Sequence, residues 1–224
     1  MGKPPAFPKI YHITHVRNLV DIIKTGGLLS DARMLERGGP RQTIGMSEIK
    51  RRRLEEIEVT CYPGTKVGEY VPFYFCPRSV MLYLIYRGNH SNLDYREGQE
   101  TIVHLEANFY KVVEWANKNS VRWVFSLSNA GAYYVEFRCN LQNLYELDWN
   151  AIAATDFRDP DIKERKQAEF LVYDFFPFEL VERIGVFNRA IWNRVNQMLI
   201  GSKYKPLVEI RRNWYYYSFP QNLI

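Results

Sequence analysis

His12 and Thr14 stand two positions apart in a stretch of β-branched and aromatic residues that includes Ile10, Tyr11 and Ile13. Side chains of an extended strand alternate between its faces, so the imidazole and the hydroxyl share one side and can grip one ligand together. Seven basic residues, Arg33, Arg37, Arg41, Lys50, Arg51, Arg52 and Arg53, crowd into residues 30–65. Adjacent arginines of this kind serve either as a solvated face or as a phosphate grip. Glu169 heads the apolar run Phe170, Leu171, Val172, Tyr173 and, taken alone, reads as a solvated carboxylate near a strand start. The three cysteines, Cys61, Cys76 and Cys139, show no CxxC or other metal-ligand spacing, and their odd number argues against a disulfide framework. No metal site is expected. No GxGxxG or GxxxxGK[ST] loop is present, so a nucleotide would be held without a Rossmann or P-loop site.

These residues need a core to hold them. A chain of 224 residues with 46% hydrophobic content suits one domain across residues 1–224. Its 16 Tyr and 13 Phe favour strands and offer flat surfaces on which a base can stack. The net charge of +5 is compatible with a polyanionic partner without requiring one. Apolar runs are too short to span a bilayer, and the first residues lack the apolar stretch of a signal peptide, so the expected location is the cytoplasm.

Periodicity predicts a strand over residues 9–14, then a helix over 18–24 that stops at Gly26 and Gly27. Residues 30–65 read as a loop-rich basic insertion, with a short helix available within 44–57. Residues 70–75 read as a strand, at an edge or a strand start because of Pro72, and 79–86 as a helix capped by Ser79. Strands follow at 101–105, 122–125, 133–137, 170–173, 181–187 and 207–216, with helices at 110–117, 141–149 and 190–199. A turn at 157–161 and a loop lead to Glu169. Strands and helices mix without regular alternation, which gives an α+β class.

Four segments, in order, resemble the DarT family of DNA ADP-ribosyltransferases: residues 11–15 (YHITH), 44–53, 70–82 (YVPFYFCPRSVML) and 166–172 (KQAEFLV). The resemblance implies the ADP-ribosyltransferase fold, two packed, mostly antiparallel sheets with surrounding helices and a cleft for NAD. It implies a His, Tyr, Glu pattern on three strands, here His12, Tyr74 and Glu169. Breaking the bond between nicotinamide and ribose leaves an oxocarbenium-like sugar, so the implied catalytic Glu169 would stabilise positive charge and help to activate the acceptor. Arg53 falls on the family's catalytic arginine, with Arg52 the alternative one register away; a group with pKa above about 12 is poorly suited to accept a proton. NAD, as co-substrate, is implied to contact His12, Ile13 and Thr14, Tyr74 and Met81 at the nicotinamide end, Asp21 and Leu29 at the adenosine end, and Arg53. On the residues alone, His12, Tyr74 and Met81 read first as structural. Lys163 and Arg165 are implied DNA contacts, Lys163 standing where relatives carry an arginine.

The implied activity is transfer of ADP-ribose to a base of single-stranded DNA, thymidine by resemblance, since a ring nitrogen used in pairing is closed off in a duplex. Such a toxin implies a macrodomain antitoxin of the DarG type as partner. The alternatives are transfer to guanosine, RNA or protein, and a non-catalytic single-stranded nucleic-acid-binding module.

Overall fold

A computed structural model describes residues 2–217 of the chain. The first strand, β1 (Lys9–His15), runs into α1 (Leu19–Thr25), which Gly26 ends in the left-handed conformation at φ 79°. Gly27 then opens β2 (Gly27–Leu29), where a side chain would collide with the Phe176 carbonyl at 2.3 Å. Two short helices follow, α2 (Asp31–Glu36) and α3 (Ser47–Glu55), so the basic segment is more ordered than its periodicity indicates.

Next come β3 (Tyr70–Tyr74) and α4 (Val80–Arg87), whose cap is Ser79, the hydroxyl accepting from the Leu82 N–H at 3.2 Å. The strand β4 (Ile102–Asn108) leads into α5 (Phe109–Lys118). That helix buries Phe109, Val112, Val113 and Ala116, the i, i+3, i+4, i+7 pattern of a single apolar stripe. Then follow β5 (Trp123–Asn129), the two-residue β6 (Phe137–Arg138), α6 (Trp149–Ala153) and α7 (Pro160–Arg165). The chain continues through β7 (Ala168–Tyr173), β8 (Phe175–Pro177), β9 (Val181–Val186), α8 (Arg189–Met198) and β10 (Leu207–Ile210).

Eight strands form one sheet in the order β10-β9-β4-β1-β3-β7-β5-β6, and β2 pairs with β8 beside it. All of these pairs are antiparallel except β10 with β9. The seam between β1 and β3 divides the sheet. β1 pairs with β4 along its whole length, and β3 pairs likewise with β7, yet β1 and β3 share one register position, Tyr11 opposite Tyr74. The two sheets expected of the fold are thus two halves joined at a single point. Pro72 marks this seam rather than an edge: β3 is interior, and the Pro72 carbonyl is taken by the His12 ring instead of a β1 amide.

Apolar side chains from both halves fill the core, with Phe73, Phe109, Phe125, Phe170 and Phe176 in one cluster against α5 and α8. Each fully buried phenylalanine of this kind contributes about 1.5 to 3 kcal/mol. A second cluster packs Tyr11, Leu82 and Ile85 of β1 and α4 with Trp214 and Tyr215.

Three further sequence expectations are corrected. Residues 133–137 are not a strand: Tyr134 is 99% exposed and only Phe137 enters the sheet. Residues 141–149 divide into a 3-10 turn over Leu141–Glu146 and the start of α6. The last strand stops at Ile210, because the following 3-10 turn rotates Trp214 and Tyr215 inward to be buried. The loop ahead of Glu169 also contains α7, capped by Asp159, whose carboxylate accepts from the N–H groups of Asp161 and Ile162 at 2.8 and 3.3 Å.

Candidate active site

The widening between β1 and β3 opens a cavity of about 260 Å³. His12, Ile13 and Thr14 line it from β1, Tyr74 from β3, Glu169 from β7, Met81 from α4 and Arg53 from α3. Asp21 and Leu29 line it from α1 and β2. All nine residues implied for NAD binding or catalysis therefore meet at one cleft. Lys163 and Arg165 do not line it; they lie exposed on α7, with Arg165 bonded to Asp148 at 3.2 Å.

Glu169 is 3% exposed and lies opposite Tyr74 across the β3–β7 ladder. Its main-chain N–H donates to the Ser126 hydroxyl at 2.9 Å, which fixes the start of β7. Both carboxylate oxygens accept from Arg53, Nη1 to Oε1 at 2.9 Å and Nη2 to Oε2 at 3.0 Å. Such a two-point pair fixes orientation as well as charge. Burial opposes the charge of Arg53, but the facing carboxylate outweighs it and holds the guanidinium above its ordinary pKa. Burial, then the charge of Glu169, pushes the Tyr74 phenol well up, so it stays neutral at pH 7.

The three arginines of α3 go separate ways. Arg51 pairs with Glu55 and Glu56 on the surface, Arg52 lies over the Tyr133 ring at 4.9 Å, and Arg53 alone turns to Glu169.

His12 donates from Nδ1 to the Pro72 carbonyl at 2.9 Å, since a carbonyl oxygen can only accept. Burial pushes its pKa down, so the ring is neutral at pH 7 and Nε2 keeps a free lone pair as acceptor. The Thr14 hydroxyl accepts from Asn18 Nδ2 at 3.1 Å.

Asn18 carried no signal in the sequence, yet it fastens one wall of the cleft. Its amide also donates to the Gln42 carbonyl and accepts from the Gln42 N–H, both at 2.8 Å, tying the loop ahead of α3 to β1. Its place at the start of α1 points to a helix cap, but its side chain makes no cap bond. Lys50 and Asp31, paired at 2.9 Å, also line the cleft, as do Asn129 and Gln167. Asp21 is bound by Arg41, with Nη2 to Oδ1 at 2.9 Å, and that hydrogen bond holds its carboxyl below the ordinary range. Arg33 reaches Asp174 at 2.8 Å. The basic segment is therefore docked on the frame by three acids, Asp21, Asp174 and Glu169.

Among the described residues, no group of three or more His, Cys, Asp or Glu is placed to hold a metal ion. None of the helices among the described residues is long and apolar enough to cross a membrane.

A sheet opened at one seam, with an imidazole and a hydroxyl on one side and a glutamate on the other, defines the ADP-ribosyltransferase class. A family model described as "ssDNA thymidine ADP-ribosyltransferase, DarT" matches residues 11–216. A DNA ADP-ribosyl transferase of Thermus aquaticus is 41% identical over 209 residues, 92% of this chain and 88% of that protein. The structure of Thermus sp. 2.9 DarT in complex with ADP-ribosylated ssDNA superposes with a TM-score of 0.86 at 37% identity, covering 96% of this chain and 99% of the other. The same DarT in complex with NAD+ gives 0.79 at 36% identity, covering 96% and 100%. The chain belongs to the DarT family and is an NAD-dependent DNA ADP-ribosyltransferase.

Proposed function

We propose that Glu169 and Arg53 carry the transfer, that His12, Thr14 and Tyr74 hold the nicotinamide end of NAD, and that the acceptor is thymidine in single-stranded DNA. The observation that carries this reading is the buried two-point Arg53–Glu169 pair, facing the His12 and Thr14 wall across one cleft.

NAD supplies the ADP-ribosyl group and nicotinamide as its leaving group. The cleft fits it chemically: the neutral His12 ring and the Thr14 hydroxyl offer polar contacts to a sugar and an amide, and Tyr74 offers a ring face for nicotinamide. Asp21 and Leu29 border the adenosine end, and Ile13 and Met81 supply apolar wall. Glu169 places fixed negative charge where the sugar becomes positive, in a pocket that excludes most water. Once Arg53 turns to phosphate or base, the freed carboxylate can take the acceptor's proton. Arg53 itself, held more firmly protonated by its partner, serves as a cation and not as a base.

Lys163 and Arg165 face solvent on α7, just ahead of Glu169, and are proposed to hold the phosphates of the acceptor strand. Lys163 makes no ion pair among the described residues and is free to do so. The chain is proposed to work as one domain in the cytoplasm, where a macrodomain enzyme of the DarG type would remove the modification.

Mass spectrometry of a thymidine-containing oligonucleotide after incubation with NAD tests the reading. The expected product is the oligonucleotide plus one ADP-ribosyl group, absent with Glu169→Gln. Modification confined to guanosine, RNA or protein would overturn the acceptor assignment, and full activity of Glu169→Gln would overturn the assigned roles.

A further inference from the structure

A second cavity, of about 650 Å³, lies on the opposite side of β1: Tyr11 borders it, whereas His12 borders the cleft already described. Lys166, part of the run that leads to Glu169 and 3% exposed, lines this cavity and not the cleft. The Lys166 ammonium donates to the Ile152 carbonyl at 2.8 Å and to Cys76 Sγ at 3.5 Å, and lies 5.7 Å from the Phe157 ring. Among the described residues it has no carboxylate partner. Burial pushes the Cys76 thiol up despite the nearby ammonium, so sulfur does not supply the missing negative charge. A buried charge without a counter-ion is costly, and a resident anion is the ordinary remedy.

The lining repeats this imbalance. It carries Lys3, Lys9, Arg78 and Lys166 and no aspartate or glutamate. Lys9 is committed to Glu182, but the side chains of Lys3 and Arg78 make no hydrogen bond or ion pair among the described residues. The rest of the lining is uncharged, with the rings of Tyr11, Trp149 and Trp214 set among prolines, alanines and Ile152. Cations and aromatic rings bordering one cavity are the chemistry of a phosphate joined to a base.

We propose that this cavity is a second nucleotide site, with the phosphate on Lys166 and Arg78 and the base against Trp149 and Trp214. The ligand is a nucleoside monophosphate unit, either free or one residue of a DNA strand passing the 154–159 loop.

The test is calorimetric titration of the full chain, already saturated with carba-NAD to close the cleft, with thymidine 5′-monophosphate. Parallel titrations use thymidine, inorganic phosphate and an oligothymidylate. Thymidine monophosphate is expected to bind one to one, with thymidine and phosphate alone each about tenfold weaker. Arg78→Gln, a change at a half-buried side chain without partners, should weaken binding about tenfold, and Lys166→Met, checked for folding by its melting curve, should weaken it further. Dependence on Arg78 in the mononucleotide titration identifies a free nucleotide; dependence in the oligonucleotide titration alone identifies a strand residue. The proposal is overturned if no titration depends on Arg78, or if phosphate binds as tightly as the mononucleotide. Binding is the readout, so the result stands whether or not transfer to DNA is detected.

Discussion

Separating Arg53 from Glu169 should cost stability and activity in different ways. Each residue is less than one-tenth exposed and each satisfies the other's charge at 2.9 and 3.0 Å. Removing either partner alone, as Arg53→Ala or Glu169→Ala, leaves a buried charge uncompensated, a loss of about 3 to 5 kcal/mol. For a chain of this length each kcal/mol lowers the melting temperature by roughly 2 to 4 °C, so the single variants should melt about 6 to 20 °C below the parent. Replacing both, as Arg53→Met with Glu169→Leu, removes the two desolvation costs together and should restore the melting temperature to within a few degrees of the parent. All three variants should lose transfer by at least about 10²-fold, since the double variant keeps the packing but not the charge. Calorimetric melting and a labelled-NAD transfer assay on the same four proteins read both quantities. If the double variant melts as low as the singles, charge compensation is not what holds the pair. If it retains transfer, the catalytic assignment fails.

Three further outcomes are expected. The His104 ring, fully buried with Nδ1 unpartnered among the described residues, has its pKa pushed down to about 4 by burial. Its contribution to stability is therefore complete above about pH 6.5 and falls as pH drops from 6.5 to 4, by about 3 kcal/mol in all; urea unfolding across that range should show this loss, which His104→Leu should remove. Asn18→Ala cuts the bonds that tie the Gln42 loop to Thr14, and should raise the KM for NAD about tenfold with a smaller change in kcat, read by steady-state kinetics at saturating oligonucleotide. Because His12 is already neutral, NAD affinity measured by titration should stay flat as pH falls through 6.5; an inflexion there that vanishes in His12→Gln would contradict the assigned protonation state.

Much of this molecule was legible because pattern and packing agree. β1, β3 and β7 carry the alternating or continuous apolar runs of interior strands, and α4 carries both a Ser79 cap and a stripe of Val80, Leu82 and Ile85. The His12, Tyr74 and Glu169 positions came from motif resemblance rather than from physics, because each residue alone is consistent with a core or surface role. What stayed hidden has a physical reason. α3, expected as a short helix within 44–57, is nearly devoid of apolar residues and docks through Arg53, so hydrophobic periodicity gives no sign of what it packs against. Asn18 and Gln42 act through main-chain and amide hydrogen bonds that have no characteristic spacing. Tyr133 and Tyr134 are aromatic residues in a turn, where strand propensity misleads because nothing buries them.

The run of three arginines gives α3 an unforgiving phase. Successive residues of a helix are turned by about 100° from one another, which is why neighbours of identical chemistry reach a surface glutamate, a tyrosine ring and the bottom of the cleft. Deleting one residue between the start of this helix and Arg53 would bring Leu54 to the face that meets Glu169 and shorten the tether behind it, while composition and net charge hardly changed. Insertions and deletions there should thus be tolerated far less well than point changes at Arg51, even though the segment looks, by its letters, like an interchangeable basic patch.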